Sequence, residues 1–302
     1  MSSVGVLVGP TASGKSALAL AIAREVAGVE LVSMDSMVVY RHMDIGTAKP
    51  SPQERAEIAH HLIDVVDPDA DWTVADHQAA CASALADIAA RGHRALLVGG
   101  TGLYVQAVVD NLTIPGRFPE VRVDLEAEAD TTVLYQRLVE LDPVAASRME
   151  PSNRRRIVRA LEVTVGSGTP FSHFGPGLDR YPPVSWPMVG LDVPRHVLDR
   201  RIADRYADQM DHGLVDEVRF LADRDGGLSR TARQALGYRE VLEHVELGAN
   251  LDDCLEQAVV RTRQFSRRQQ RWFRRDPRIA WLVTDDPDDP ALVGELRRML
   301  GW

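Results

Sequence analysis

The chain has 302 residues, 45% of them hydrophobic, with 44 acidic and 35 basic side chains giving a formal charge of −9 and a pI near 5.5. That length buries one substantial core plus an inserted or appended unit, and the acidic balance excludes a protein that coats nucleic acid indiscriminately. No apolar run approaches the roughly 20 residues that cross a bilayer, and the chain enters a strand at Val4 without the features of a secretory leader, so no membrane association and a cytoplasmic location are expected.

In chain order, Val4 to Val8 reads as a buried strand and residues 15 to 27 as a helix. Glu30 to Met34 is a second apolar strand that ends at Asp35-Ser36. An alanine-rich helix over 74–91 closes with Gly92 as its C-cap. Arg94 to Val98 is a third strand, ended by Gly99-Gly100-Thr101-Gly102, and Leu103 to Val109 restarts a helix. Strands that run into glycine or acidic loops before helices describe a parallel, doubly wound sheet. Ligands collect at the C-terminal strand ends of such sheets, so Lys15, Asp35 and Thr101 are expected along one rim.

The pattern changes after Pro115-Gly116, where segments 119–130, 132–140, 143–149 and 152–166 are helical without an intervening strand. Residues 115–183 are therefore expected to form a helical insertion into a core made of 1–114 and 184–302. The Gly/Pro-rich stretch Gly175 to Pro183 returns the chain to a strand over 184–191, in which Pro187 implies an edge position or a late start. Long helices at 195–211, 213–224, 237–247 and 252–274 precede a last strand, Ile279 to Val283, and a closing helix. Cys81 and Cys254 stand apart from each other and from histidine clusters, which indicates neither a disulfide framework nor a zinc site, but two small buried apolar residues.

The chemistry starts at Gly9-Pro10-Thr11-Ala12-Ser13-Gly14-Lys15-Ser16, which fits the phosphate-loop pattern G-x-x-x-x-G-K-[ST] between a strand and a helix. Its glycines let backbone N–H groups wrap an anion, and the following helix adds its positive N-terminal end. Lys15 would lie on outer phosphate oxygens, and the Ser16 hydroxyl would help hold a magnesium ion bridging them. Lysine occurs only at positions 15 and 49 in a chain otherwise rich in arginine. Asp35 has two readings: a metal-organising carboxylate at a strand end, or a general base facing the acceptor across the phosphate site.

Three segments taken together, the loop at 9–16, the run Asp35-Ser36-Met37-Val38-Val39-Tyr40 through Asp44-Ile45-Gly46-Thr47-Ala48-Lys49-Pro50, and Gly99 to Tyr104, resemble the tRNA dimethylallyltransferase (isopentenyltransferase) family of the bacterial type without a zinc finger. The runs Arg155 to Val163, Gln234-Ala235-Leu236-Gly237-Tyr238-Arg239-Glu240 and Thr262 to Gln269 agree with it, so the resemblance covers about residues 5 to 275. It implies an α/β fold, a P-loop NTPase-like parallel sheet core flanked by helices with a helical tRNA-binding insertion. It also implies transfer of a dimethylallyl group from dimethylallyl diphosphate to N6 of the adenosine at tRNA position 37, next to the anticodon, with magnesium as cofactor. Under it Asp35 is the general base, Thr101 contacts diphosphate or the target nucleotide, and Arg205 reaches the diphosphate from a core helix. Residues 9–16 bind the diphosphate. The tRNA contacts it implies are Asp35, Ser36, Met37, Val38, Thr101, Arg122, Arg155, Arg156, Arg159, Gln234, Gly237, Tyr238 and Arg239. Ser16 stands where the family often has threonine, and the segment 124–132 is shorter than the family's pattern.

An adenine amine is a weak nucleophile, and a carboxylate that takes its proton as the C–N bond forms suits Asp35. Extracting the adenosine from the anticodon loop calls for a clamp, for which Arg154-Arg155-Arg156 and Arg159 in the insertion are candidates. A second basic tract, Arg261 to Arg275 with Phe265, Trp272 and Phe273 interleaved, suits phosphate contacts, although its aromatics have the spacing of a core face. Arg205 can equally be a solvated position paired with Asp208. Three other readings use the same loop: a small-metabolite kinase, a prenyltransferase acting on free adenine nucleotides, and a non-catalytic tRNA-binding adaptor. A monomer is expected.

Overall fold

The computed structural model describes residues 3–175 and 177–302; Met1 and Ser2 of the expected core and Pro176 of the Gly/Pro-rich return lie outside the described residues. The first compact unit comprises the residues up to Asp110 together with Pro182–Trp302, and the second is Asn111–Tyr181. In the first, β1 (Val4–Val8) leads to α1 (Lys15–Glu25), β2 (Val29–Ser33), α2 (Pro52–Glu57), β3 (His60–His61), α3 (Val74–Ala90), β4 (Arg94–Gly99) and α4 (Gly102–Val109). The second unit holds α5 (Pro119–Ala127), α6 (Thr131–Leu141), α7 (Pro143–Ser147) and α8 (Arg154–Ser167). The first resumes with β5 (Met188–Asp192), α9 (Arg195–Asp211), α10 (Leu214–Ala222), α11 (Tyr238–Leu247), α12 (Leu251–Arg274), β6 (Ile279–Val283) and α13 (Ala291–Leu300).

All strand pairs are parallel, in the order β3-β2-β4-β1-β5-β6. Strands buried on both faces read as continuous apolar runs, and Val6, Leu7 and Val8 of β1 are fully buried. One face of the sheet packs on α1 and α13 through Leu7, Ile22, Leu96 and Leu296. The other packs Val6, Val8, Leu97 and Met34 against Cys81 and Ile88 of α3 and Val105 of α4. Both cysteines are free and buried, as expected of small apolar residues. The second unit has its own core, built on Leu134, Leu138, Ile157 and Leu161.

Three departures from the sequence reading have local causes. The strand expected over 184–191 begins only at Met188, because Pro187 has no N–H for the ladder; its carbonyl still accepts from Val6 N at 3.0 Å. That late start lets β5 sit inside the sheet between β1 and β6 rather than at an edge. The short helix α2 was missed although its Ser51 and Glu54 form a reciprocal capping box readable in sequence. The two-residue edge strand β3 is too short for any periodicity.

Lys49, one of the two lysines, is a folding residue. Its side chain is 2% exposed, and Nζ donates to Tyr40 O at 2.5 Å and reaches Asp44 and Asp64 at 2.7 and 2.6 Å. Opposite it, the Glu217 carboxylate accepts the backbone N–H groups of Asp44, Ile45 and Gly46 at 2.9, 2.8 and 3.2 Å. The loop at 44–49 is thus pinned from both sides. An ammonium fits this closed pocket and a guanidinium does not. Lys49→Arg should therefore destabilise the protein by about 1–3 kcal/mol through overpacking, read as a fall in the denaturant midpoint at unchanged slope.

Candidate active site

Because the strands are parallel, the loops after β1, β2 and β4 leave the same edge of the sheet. Gly99 makes this possible: a Cβ there would lie 2.3 Å from the carbonyl oxygen of Met34, so only glycine lets the ends of β2 and β4 close. Met34 N donates to Val98 O at 2.8 Å and Thr101 N to Met34 O at 3.3 Å, which carries the contact past the strand ends. Asp35 and Thr101 follow directly, beside the phosphate loop of β1.

The loop from Gly9 to Gly14 is held from several directions. Gly14 has φ +83° and stands at the N-cap of α1, with Pro287 packed so closely that a Cβ would fall 2.9 Å from it. Ala12 has φ +65°, a left-handed backbone that costs an L-residue about 1 kcal/mol. Arg201 Nε donates to Ala12 O at 3.0 Å, Gln269 Oε1 accepts from Thr11 N at 2.8 Å, and Lys15 Nζ donates to Pro10 O at 3.2 Å. The Ser13 hydroxyl is fully buried with no partner among the described residues, a donor without an acceptor inside the anion loop. Ser16 lies exposed on the first turn of α1.

Two cations and one carboxylate share this edge. Burial pushes Lys15 down to about 8; the Asp35 charge opposes that shift and the neighbouring Arg205 adds to it. Arg205 is likewise lowered by burial, against the attraction of Tyr206 and Asp35, and its Nη1 lies 3.4 Å from Thr11 Oγ1. Its place is therefore at the loop, not on the solvated helix face that pairing with Asp208 would give. Asp35 Oδ1 accepts from Met37 N at 2.8 Å, a turn that fixes the carboxyl while leaving its second oxygen free of that bond. Thr101 caps α4 without a side-chain cap bond, so its half-buried hydroxyl is available. Lys15, Asp35 and Arg205 are thus near enough to act on one another, and Thr101 follows β4 at the same edge of the sheet.

Other expected contacts resolve differently. Ser36 and Met37 are half-buried beside Asp35, while Val38 is 8% exposed. Gln234 and Arg239 are exposed, but Gly237 is buried and Tyr238 is fully buried. The Tyr238 hydroxyl donates to Glu217 Oε1 at 2.5 Å, and its ring fills the space a Cβ on Gly46 would need. The expectation of direct contact is corrected for Tyr238: it braces the 44–47 turn. In the second unit, Arg122 and Arg159 both turn to Glu162, which is 2% exposed, at 3.3 and 2.9 Å, and Arg159 also donates to Pro115 O and Gly116 O. Burial of an unpaired carboxylate would be costly, so these arginines are committed to the fold. Arg155 and Arg156 are exposed. Sequence reasoning missed the roles of Gln269, Arg201 and Glu217, although Gln269 ends the run from Thr262 and Arg201 lies in the stretch around Arg205.

The IPP transferase family model matches residues 38–276, and an isopentenyl transferase model matches residues 2–65. The tRNA dimethylallyltransferase of Thermobifida fusca is 46% identical over 299 residues, covering 95% of this chain and 92% of the relative. The chain belongs to the IPP transferase family. A second relative, the tRNA dimethylallyltransferase of Bifidobacterium animalis subsp. lactis, is 44% identical over 93% of this chain and 82% of its own. Among solved structures, the full-length tRNA isopentenylpyrophosphate transferase of Bacillus halodurans superposes with a TM-score of 0.73 at 34% identity, over 99% of this chain and 95% of that one. A eukaryotic dimethylallyltransferase acting on tRNA superposes with a TM-score of 0.80 at 26% identity, covering 99% of this chain and 78% of that one. The α/β core with a P-loop NTPase-like parallel sheet is thus the fold of this family of transferases.

The lowered Lys15 makes anion binding pH-dependent. Below about pH 8 the free protein already carries the charge; above it, an arriving diphosphate must draw a proton onto Lys15. Calorimetry of inorganic diphosphate in buffers of different ionisation enthalpy should show that the wild type takes up more protons on binding than Lys15→Met, by a difference that grows from about pH 7.5 to 9 and is separate from the protons the diphosphate itself exchanges. Lys15→Met should also weaken binding most at the lower pH.

Proposed function

We propose that this chain transfers the dimethylallyl group of dimethylallyl diphosphate to N6 of the adenosine at position 37 of tRNA, next to the anticodon, releasing diphosphate. The observation that carries the reading is the convergence of Lys15 and Arg205 on the phosphate loop with one carboxylate, Asp35, acting on both. Relatives matched along nearly the whole chain are named for transfer of a dimethylallyl group to tRNA. A kinase or a free-nucleotide prenyltransferase would use the same loop, but neither reading draws on relatives named for tRNA.

The loop N–H groups, the N-terminus of α1, Lys15 and Arg205 hold the diphosphate and stabilise the charge that accumulates on it as the allylic C–O bond breaks. The new bond forms between the allylic carbon and N6 of an adenosine turned out of its stack. Asp35 accepts the proton that N6 releases, held in place by Met37 N. Thr101, with its hydroxyl uncommitted to capping, orients the nucleotide or the diphosphate at the same edge.

Magnesium fits as a cofactor brought in with the diphosphate. No cluster of three or more His, Cys, Asp or Glu side chains among the described residues could hold an ion by itself, whereas Ser16 offers an exposed hydroxyl on the first turn of α1. When bound, the ion neutralises charge on the leaving group. The second unit, Asn111–Tyr181, is the tRNA-binding insertion, with Arg155 and Arg156 as its phosphate contacts. The exposed arginines of α12, Arg267, Arg268 and Arg271, add a second strip for phosphates. No described helix is long and apolar enough to cross a membrane.

Incubation with labelled dimethylallyl diphosphate, magnesium and bulk tRNA should label tRNA at adenosine. Label on AMP or ATP, or on neither, would sink the reading. In the same assay Asp35→Ala should lower turnover by about 10²- to 10⁴-fold while tRNA affinity changes far less.

The two pairs of arginines separate in a salt titration. Arg156→Ala should weaken tRNA binding and shallow its log–log salt dependence by about one charge at unchanged stability. Arg159→Ala should instead lower stability, because Glu162 loses a partner. Equal effects of both on the salt slope would reject this division of roles.

A further inference from the structure

Gln269 lies on α12, is 6% exposed, and spends both ends of its carboxamide on backbone. Oε1 accepts from Thr11 N at 2.8 Å, and Nε2 donates to Gly100 O at 2.9 Å. The first bond reaches the phosphate loop and the second reaches the turn that carries Thr101. Glycine at 100 is part of the arrangement: a Cβ there would lie 2.3 Å from the Gln269 Nε2 atom. We propose that Gln269 is the positioning residue of the diphosphate site, tying the phosphate loop to the Thr101 turn and holding the left-handed Ala12 segment in its anion-binding shape. The inference rests on the diphosphate reading above and assigns a residue that acts on that site without touching the ligand.

The physical case is one of matched chemistry. The gap between Thr11 N–H and Gly100 C=O requires an acceptor and a donor on one planar end, at the reach of two methylenes, and a glutamine amide supplies both. The first of these bonds adjoins a strained element. Ala12 follows Thr11 directly with φ +65°, and its own carbonyl is held by Arg201 at 3.0 Å. Gln269 therefore holds the Pro10–Thr11 peptide, one residue before the strained one, and Arg201 holds the peptide leaving it. A left-handed alanine persists only when its surroundings over-determine it. Thr11 also meets Arg205 through Oγ1 at 3.4 Å, so the same tether sets the distance between the loop and the second cation of the site. Because the donor and acceptor on Gln269 are both taken by backbone, its effect on an anion passes through the two loops.

The test uses the full-length protein, inorganic diphosphate with magnesium, and calorimetry. Gln269→Glu keeps the acceptor for Thr11 N–H and the side-chain volume, but an ionised carboxylate cannot donate to Gly100 O. Loss of one such bond should weaken diphosphate by about tenfold or more at pH 8.5. Burial raises the pKa of the introduced carboxyl, so on acidification it gains an O–H that can donate to Gly100 O. The ratio of variant to wild-type affinity should then close toward one near pH 6. Gln269→Met, which removes both bonds without adding charge, should show the loss at both pH values, and this separates the missing bonds from simple repulsion of the anion by the new carboxylate. Gly100→Ala, whose methyl displaces the carboxamide, should reproduce the loss at both pH values without the recovery, and carries the test should the glutamate variant fail to fold. Diphosphate affinity within twofold of wild type for the uncharged variants, Gln269→Met and Gly100→Ala, with only the melting temperature lowered, would overturn the positioning role. Failure of the wild-type protein itself to bind diphosphate would instead overturn the reading of the site, and this inference with it.

Discussion

Two cations, Lys15 and Arg205, stand at one phosphate loop opposite a single carboxylate, Asp35, and the rest of the structure is arranged around that imbalance. Burial lowers the Lys15 pKa, the neighbouring Arg205 adds to that shift and the Asp35 charge opposes it. A bound anion would bring charge opposite to both cations. The N-terminus of α1 points the same way, because its first N–H groups have no partners within the helix. The site is therefore incomplete as charge until an anion with several oxygens arrives.

Such a site needs a rigid frame, and the frame comes from distant helices. Arg201 of α9 holds the carbonyl of Ala12, Gln269 of α12 holds the N–H of Thr11, and Pro287, in the loop after β6, closes against Gly14. The neighbouring segment at 44–49 is held in the same manner, by Glu217 of α10, Tyr238 of α11 and the buried ammonium of Lys49. Apart from the packing of Pro287, the braces are charge-assisted or two-ended polar contacts, several of them partly buried. They order the loops without any movement being needed when a ligand binds.

The second unit shows the same economy with arginine. Arg122 and Arg159 neutralise Glu162 at the heart of a four-helix cluster, and Arg154 donates to the carbonyl oxygens of Glu126 and Ala129 at the end of α5. An arginine-rich helix start thus divides into residues that hold the fold and residues, Arg155 and Arg156, that face solvent. Composition alone cannot make that division, since the identical side chain serves both purposes.

The sequence by itself determined what is local. The phosphate loop declared itself through Gly9, Gly14, Lys15 and Ser16 within eight positions, and the parallel sheet through apolar runs ending in Asp35 and in Gly99-Gly100. Helices such as α9 and α12 followed from 3.6-residue periodicity, and their bounds differ from the reading by no more than a residue. What tertiary structure alone decided is which polar residue meets which backbone group. Thr11 and Gln269 are 258 positions apart, Gly46 and Glu217 171, and no periodicity or propensity links them. Their bonds exist because packing brings an unsatisfied N–H or C=O within reach of a side chain of the right length, and a buried polar group must find such a partner. For the same reason Tyr238, which reads as a contact for RNA, is a brace instead, fully buried against Glu217, and Arg159 spends its guanidinium on Glu162 and on the carbonyls of Pro115 and Gly116.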